Sequence, residues 1–361
     1  MVAARPAMAV DVLVVGLGPG GSSAALTAAQ AGGAVLGIDR NAVIGEPVQC
    51  AEFIPRPMGA WAQDAGVLQQ TVDGMKSYLP SGAVEESAFP GLMIDRAAFD
   101  RAIARRAREA GAELRTGTRL LELDPVAHSA TLSDGNGEYM VHWRALVAAD
   151  GPHSPCARLS GWAEQRTVQT RQYSVPLLQP YSDTDIWLSD DFPGGYAWLF
   201  PRGGVANLGL GIDKAVERDL KAPLEALHAE LVARGLVGPE ILARTGGAIP
   251  VGGLREALYS EGGPVVLVGD AAGLTHPITG AGISAAVVSG ERAGTAVMAW
   301  LGGDTDALED YDEDIRDQFE VTVQRGVARR QELDRVWRTP TAQEDGTMRR
   351  GWIAFDEYFA A

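Results

Sequence analysis

"VDVLVVGLGPGGSSAALTAAQAGGAVLGIDR", residues 10–40, decides the fold. Val10 to Val15 form an apolar run of strand type. A glycine turn follows, then a helix of small residues, then a second apolar strand ending at Asp39. Gly16, Gly18 and Gly21 satisfy G-x-G-x-x-G, with Pro19 and Gly20 inside the turn. The first glycine allows a tight turn, the second lets the backbone approach a pyrophosphate, and the third permits close helix-to-strand packing. The amides at the helix N-terminus then face the phosphates. Asp39 follows the first glycine by about 20 residues, the spacing at which a carboxylate accepts ribose hydroxyls, and Arg40 adjoins it. Strand, turn, helix, strand and acid fall in order, which predicts a Rossmann-type dinucleotide site.

Working outward, the chain of 361 residues has room for about two domains of 150 residues, or for one domain with a large insertion. Charged residues make up 22% and hydrophobic residues 46%, a globular balance. The formal net charge of −16 argues against nucleic acid, whose phosphates need a basic surface. Only Cys50 and Cys156 are present, so no disulfide framework is expected and a cytoplasmic setting is the simpler one. No apolar stretch approaches the roughly 20 residues of a membrane span, which leaves a soluble or membrane-peripheral protein. The first residues lack a polar cleavage region and read as no secretory leader. No metal site is expected.

Two distant segments choose between dinucleotides. "RALVAADGPHSPCAR" (144–158) is an apolar strand ending in Asp150 and Gly151. "GPVVLVGDAAGLTHPITGAGISAAVVSGERAG" (263–294) is a strand ending in Gly269 and Asp270, then a loop and a long small-residue helix. With the glycine turn, these resemble the flavoprotein hydroxylase superfamily of the p-hydroxybenzoate hydroxylase type, which binds FAD in one extended cleft. The resemblance implies that Asp270 meets the ribityl chain and that backbone near Gly280, Gly282 and Ile283 borders the flavin pyrimidine. Amides at a helix N-terminus would stabilise negative charge there. The segment "MIDRAAFDRAIARRAREAGAELRTGTRLLEL" places Ala97, Ile103, Ala104 and Ala107 at helical spacing, with Asp95 as N-cap. By the same resemblance Arg96 reaches FAD, and Leu120 and Ala51 border it. Arg101, Arg105, Arg106 and Arg108 read as a solvated face.

Between residues 168 and 212 several alternating runs read as strands of a substrate-covering sheet. In "GGYAWLFPRGGVANLGLG" (194–211), Tyr196, Trp198 and Phe200 project to one face, and Pro201 stops the run. Periodicity alone is equally compatible with ordinary core. The segment is, however, similar to the Y-x-W-x-F-P segment of the geranylgeranyl reductase family, and "IGEPVQCAEFIPR" (44–56) resembles that family's G-x-x-x-x-C-x-E loop. The resemblance covers most of residues 10–300. It implies reduction of isoprenoid carbon–carbon double bonds. Tyr196, Trp198, Phe200 and Pro201 would wall the prenyl pocket, and Cys50 would sit beside the flavin as proton donor or flavin-positioning group. A small buried hydrophobe is the alternative for Cys50. Glu52 would orient the loop. Cys156 reads as structural, and His276 as a loop cap, with flavin neighbour and proton source as alternatives.

An FAD monooxygenase shares these cofactor motifs, and a flavin-dependent halogenase carries a related aromatic segment and a catalytic lysine. Lys76 lies in "DGMKSYLP", which reads as a solvent loop. No second glycine fingerprint is present, so NADPH, reduced ferredoxin or free reduced flavin stand as electron donors. The expected architecture is α/β. Residues 1–165 and 251–300 form the FAD-binding domain, 166–250 an inserted antiparallel substrate sheet, and 301–361 a helical C-terminal segment. The expected partner is an apolar or prenylated small molecule; the oligomeric state is open.

Overall fold

The computed structural model describes residues 7–260 and 263–360. The reading of the first six residues as no leader lies outside them. The strands form two sheets. The first has the strand order Tyr259–Ser260, Gly263–Leu267, Gly137–Ala148, Met8–Val15, Val35–Ile38, Glu113–Arg115. Its four central pairings are parallel. Met8–Val15 lies between two parallel neighbours, so Val12, Leu13 and Val14 are fully buried, as a strand covered on both faces requires. The helices Pro19–Gln30 and Ile283–Leu301 pack on this sheet. Their axes approach because glycine stands at the contact: a Cβ on Gly290 would lie 2.1 Å from the Gly20 carbonyl oxygen, and one on Gly294 2.7 Å from that of Ala24.

The second sheet runs Ala243–Thr245, Thr167–Pro176, Val205–Ile212, Ala197–Arg202, Asp183–Trp187, Leu68–Tyr78, Val84–Ile94, Phe53–Pro55, with Ala248–Pro250 also on Thr167–Pro176. It is larger than the expected 166–250 insertion, because residues 53–94 supply three of its strands. It is also not purely antiparallel, since Asp183–Trp187 pairs in parallel with Leu68–Tyr78. That pairing corrects the reading of Lys76 as a loop residue. "DGMKSYLP" is mostly strand, and the Lys76 ammonium is 3.3 Å from the carboxylate of Asp183 on the neighbouring strand. A glycine and polar residues gave a turn-like pattern, and the neighbour that overrides it comes from over 100 residues away.

One face of this sheet packs Ala197, Leu199, Leu208 and Leu210 against Leu224, Leu227 and Leu231 of the helix Lys221–Ala233. The other carries Tyr196, Trp198 and Phe200, as alternation predicts. The C-terminal segment covers part of that second face: the helix Ala307–Asp334 leads to Trp337, Met348, Trp352, Phe355 and Tyr358, which share a core with Trp198. Among the described residues no helix is long and apolar enough to cross a membrane.

Candidate functional site

A cleft of about 290 Å³ is lined by the glycine turn, by residues 268–286 and by strands of the second sheet. It brings together Gly18, Pro19, Gly20, Cys50, Ala51, Arg96, Gly151, Tyr196, Trp198, Asp270, Gly280, Gly282 and Ile283. The glycines of the first turn divide into two kinds. Gly16 has φ +96°, and a Cβ there would stand 2.3 Å from the Ala149 oxygen; one on Gly21 would stand 1.8 Å from the Gly16 oxygen. Both serve packing. Gly18, by contrast, would place a Cβ with no atom within 4 Å, at φ −69° and ψ −169°, a conformation open to any residue. It borders the cleft at the N-terminus of Pro19–Gln30, where no side chain caps the helix. Gly282 likewise precedes Ile283–Leu301 without a side-chain cap. Two helix N-termini thus open onto one elongated cleft, and this backbone cradle fits the pyrophosphate and the electron-accepting ring of FAD. Asp270 accepts a hydrogen bond from the Thr275 hydroxyl, while burial pushes its carboxyl above the ordinary range against the opposing effects of Thr275 and Arg96.

The loop carrying Cys50 is tied to the second sheet. The Gln49 side chain donates to the Gly246 carbonyl at 2.8 Å, the Thr245 hydroxyl to that of Val48 at 2.5 Å, and the Gln172 amide to that of Cys50 at 3.0 Å. Glu52 ends the loop at φ +68°, a left-handed conformation rare for glutamate. Its buried carboxylate over-determines that geometry: one oxygen accepts from the Arg96 amide at 2.9 Å, the other from the Asn207 side chain at 2.8 Å, with Arg202 at 3.3 Å. The Glu52 amide donates to the Cys50 sulfur at 3.2 Å. Burial pushes the Cys50 thiol up, so it is held protonated, and the Arg96 guanidinium opposes that shift. Arg96 itself is held charged beside Asp100, which accepts from its Nε at 2.8 Å.

In the same wall the Tyr196 ring lies 5.6 Å from that of Trp198 and 4.7 Å from that of Trp352. Its hydroxyl donates to the Thr279 carbonyl at 2.6 Å. Trp198 donates its indole N–H to the Gln172 side-chain oxygen at 3.0 Å, so Gln172 couples the aromatic wall to the Cys50 loop. Phe200 and Pro201 lie outside the cleft wall. Phe200 is on the expected face but packs 5.9 Å from Phe53 and beside Phe89, because the edge strands close that end of the sheet. Asp39 accepts from the amides of Leu17 and Asn41, bracing the glycine turn, and Arg40 is exposed. Leu120 packs against the first core. Asp150 accepts from Ser154 and from the amide of Cys156, which is fully buried.

His276 is a loop brace. Its Nδ1 accepts from the amides of Ile278 and Thr279, which leaves Nε2–H for the Tyr358 oxygen at 3.2 Å; burial pushes its pKa down to about 4. Asp95 caps the helix Arg96–Glu109 by accepting from the Ala98 amide at 2.8 Å, as expected. Arg105 and Arg106 on that helix both pair with Asp64. Sequence reasoning missed Gln172, Trp352 and Arg330. Alternation of Thr170 and Gln172 on one strand face was the only available signal for the first. Arg330 is 5% exposed, lines the cleft, and donates to the carbonyls of Pro277 and Gly194; burial pushes it down to about 10.

A geranylgeranyl reductase catalytic domain model matches residues 165–240 and an FAD binding domain model residues 9–187. Digeranylgeranylglycerophospholipid reductase 1 of Methanopyrus kandleri is 36% identical over 352 residues, covering 87% of this chain and 88% of its own. The chain belongs to the geranylgeranyl reductase family of FAD-dependent oxidoreductases. Among solved structures, a geranylgeranyl bacteriochlorophyll reductase-like protein from Thermoplasma acidophilum superposes with a TM-score of 0.82 at 27% identity over 96% of each chain. The myxobacterial chondrochloren halogenase, at 18% identity and a TM-score of 0.71, covers 93% of this chain and 86% of its own, and shares the fold.

Proposed function

We propose that this protein reduces the carbon–carbon double bonds of a prenylated lipid of geranylgeranyl type, with Cys50 as proton donor. The observation that carries the reading is the placement of the half-buried Cys50 thiol in the same cleft as the glycine cradle and the rings of Tyr196 and Trp198, with desolvation pushing its pKa up. Bound, reduced FAD supplies the hydride. An isolated trisubstituted alkene offers no electrophilic carbon, so the π pair must take a proton as the hydride arrives. Cys50 gives that proton to one carbon, and positive charge develops on the other. The faces of Tyr196 and Trp198 tolerate this charge, at about 0.5–2 kcal/mol for each ring. The thiolate left behind meets Arg96 and regains its proton from water. Tyr196 and His276 are the weaker acids here, since the first already donates to Thr279 and the second to Tyr358.

The reductant comes from outside the chain; NADPH, reduced ferredoxin and free reduced flavin all meet the electron count. A cytoplasmic, membrane-peripheral setting belongs to the same proposal, because a prenylated lipid reaches the cleft from a bilayer. Chemically reduced holoprotein is mixed anaerobically with geranylgeraniol or a prenylated glycerophospholipid. The expected product gains two mass units per reduced bond in H₂O and four in D₂O, because the thiol proton and the hydrogen of the chemically reduced flavin both come from solvent. Cys50→Ala should keep its yellow FAD and lose about 10²–10⁴-fold in rate. Wild-type rates in that variant, or reoxidation only by oxygen with hydroxylation of added aromatics, would overturn the reading.

A further inference from the structure

A second cavity abuts the cleft at the edge of the second sheet. Thr170, Thr245 and Gly246 line both, and the second is completed by Arg171, Lys214 and Arg244, with no carboxylate in its wall. In a chain of net charge −16 such a lining is out of character. Among the described residues these three cations have no ion pair, although most other arginines of the protein do. Arg171 and Arg244 stand over the same ring, that of Tyr173, at 5.6 and 5.8 Å from its centroid. Arg244 is the cross-strand partner of Tyr173, so the sheet register itself sets both guanidinium groups against one ring. Like charges on neighbouring strands of one sheet are destabilising, and an anion bound beside them offsets that cost. Asp219 is the nearby acid that feels Arg171, but it accepts from the amides of Lys221 and Ala222 at the start of the following helix.

We infer that this cavity is a binding site for a phosphate or diphosphate group at the mouth of the active cleft. Guanidinium forks match phosphate oxygens in pairs, and Lys214 adds a mobile third charge. A ligand whose apolar or planar part occupies the cleft and whose phosphate lies across Thr170 and Gly246 would meet all three. Two sources present this chemistry: the phosphorylated end of a prenyl lipid and the phosphates of a nicotinamide dinucleotide. The choice between them rests on the function proposed above; the existence of the site does not.

The test uses FAD-loaded protein, whose own pyrophosphate cradle is filled, and the variant with Arg171→Gln, Lys214→Gln and Arg244→Gln combined. Inorganic pyrophosphate titrated by calorimetry should bind the wild type, weaken with added salt, and bind the variant at least about tenfold less tightly. With dithionite as reductant, KM for geranylgeranyl diphosphate should rise by at least about tenfold in the variant while KM for geranylgeraniol stays unchanged, if the lipid is the source. If the nucleotide is the source, both lipid KM values stay unchanged and KM for NADPH rises instead. Wild-type protein that fails to bind pyrophosphate, or a folded variant that binds it equally well, overturns the site. Pyrophosphate binding without any alkene reduction leaves the site standing and removes the proposed function.

Discussion

On one side of the cleft the ligand-facing surface is backbone, set by glycines within a few residues of each other and by two uncapped helix N-termini. On the other side it is made of side chains: Cys50, Gln172, Tyr196, Trp198 and Arg330, held by bonds between residues up to 136 apart in the chain. The first wall depends on what is missing, a Cβ here or there. The second depends on what is present and on every partner that orients it. A single substitution should therefore act as a switch on the glycine side and as a graded loss on the side-chain side.

Within the glycine wall the largest effects should separate folding from cofactor binding. Gly21→Val would drive a side chain into the Gly16 carbonyl, where even a Cβ comes within 1.8 Å, and is expected to yield no folded protein. A Cβ at Gly18 has no atom within 4 Å and the backbone conformation is permitted, so circular dichroism and apoprotein melting of Gly18→Val should match the wild type while bound flavin absorbance is lost. Yellow Gly18→Val protein would place the pyrophosphate elsewhere and erase the contrast.

Trp198→Ala tests the side-chain wall. Trp198 is 6% exposed, shares a core with Met75, Ile186 and Trp352, and also lines the cleft, so pocket and core are the same residue. The change should cost about 3–5 kcal/mol of unfolding free energy in urea titrations and also free Gln172 from its indole partner. Trp198→Phe should recover most of the stability. Normal stability in the alanine variant would show that the C-terminal cover does not pack as described.

The contrast also explains what the sequence made legible. The glycine turn, the two helix starts and the alternating aromatics are local patterns, and the structure realises them where they were expected. Arg330 and Trp352 carry no such pattern. Their places are decided by how the helix Ala307–Asp334 and the segment after it lie on a sheet made 100–250 residues earlier. Lys76 shows the same limit, since only the parallel partner Asp183–Trp187 makes its segment a strand. Phe200 obeyed its period yet left the cleft, because period fixes a face and not what else occupies it.

His276 sharpens the comparison through pH. Its folded pKa near 4 lies below the ordinary value of 6.5, so the folded state prefers the neutral ring. Its stabilising contribution is complete above about pH 6.5 and is lost as pH falls toward 4, because the unfolded chain takes up the proton first. The loss should be on the order of 3 kcal/mol across that window. His276→Gln should flatten that part of the melting-temperature profile; an unchanged slope would assign it to other groups.

The smallest effect comes from Tyr196→Phe. Its hydroxyl does one thing, donating to the Thr279 carbonyl in the loop that leads to Gly282. Loss of that bond should cost about 1 kcal/mol of stability. The ring, which lies 5.6 Å from Trp198 and 4.7 Å from Trp352, is retained and so should be its attraction for developing positive charge. Under the assignment of the proton to Cys50, single-turnover alkene reduction by Tyr196→Phe should stay within about a few-fold of the wild type. A fall as deep as that of Cys50→Ala, with FAD retained, would make the phenol the acid. It would also give the aromatic wall a proton to donate as well as a charge to tolerate.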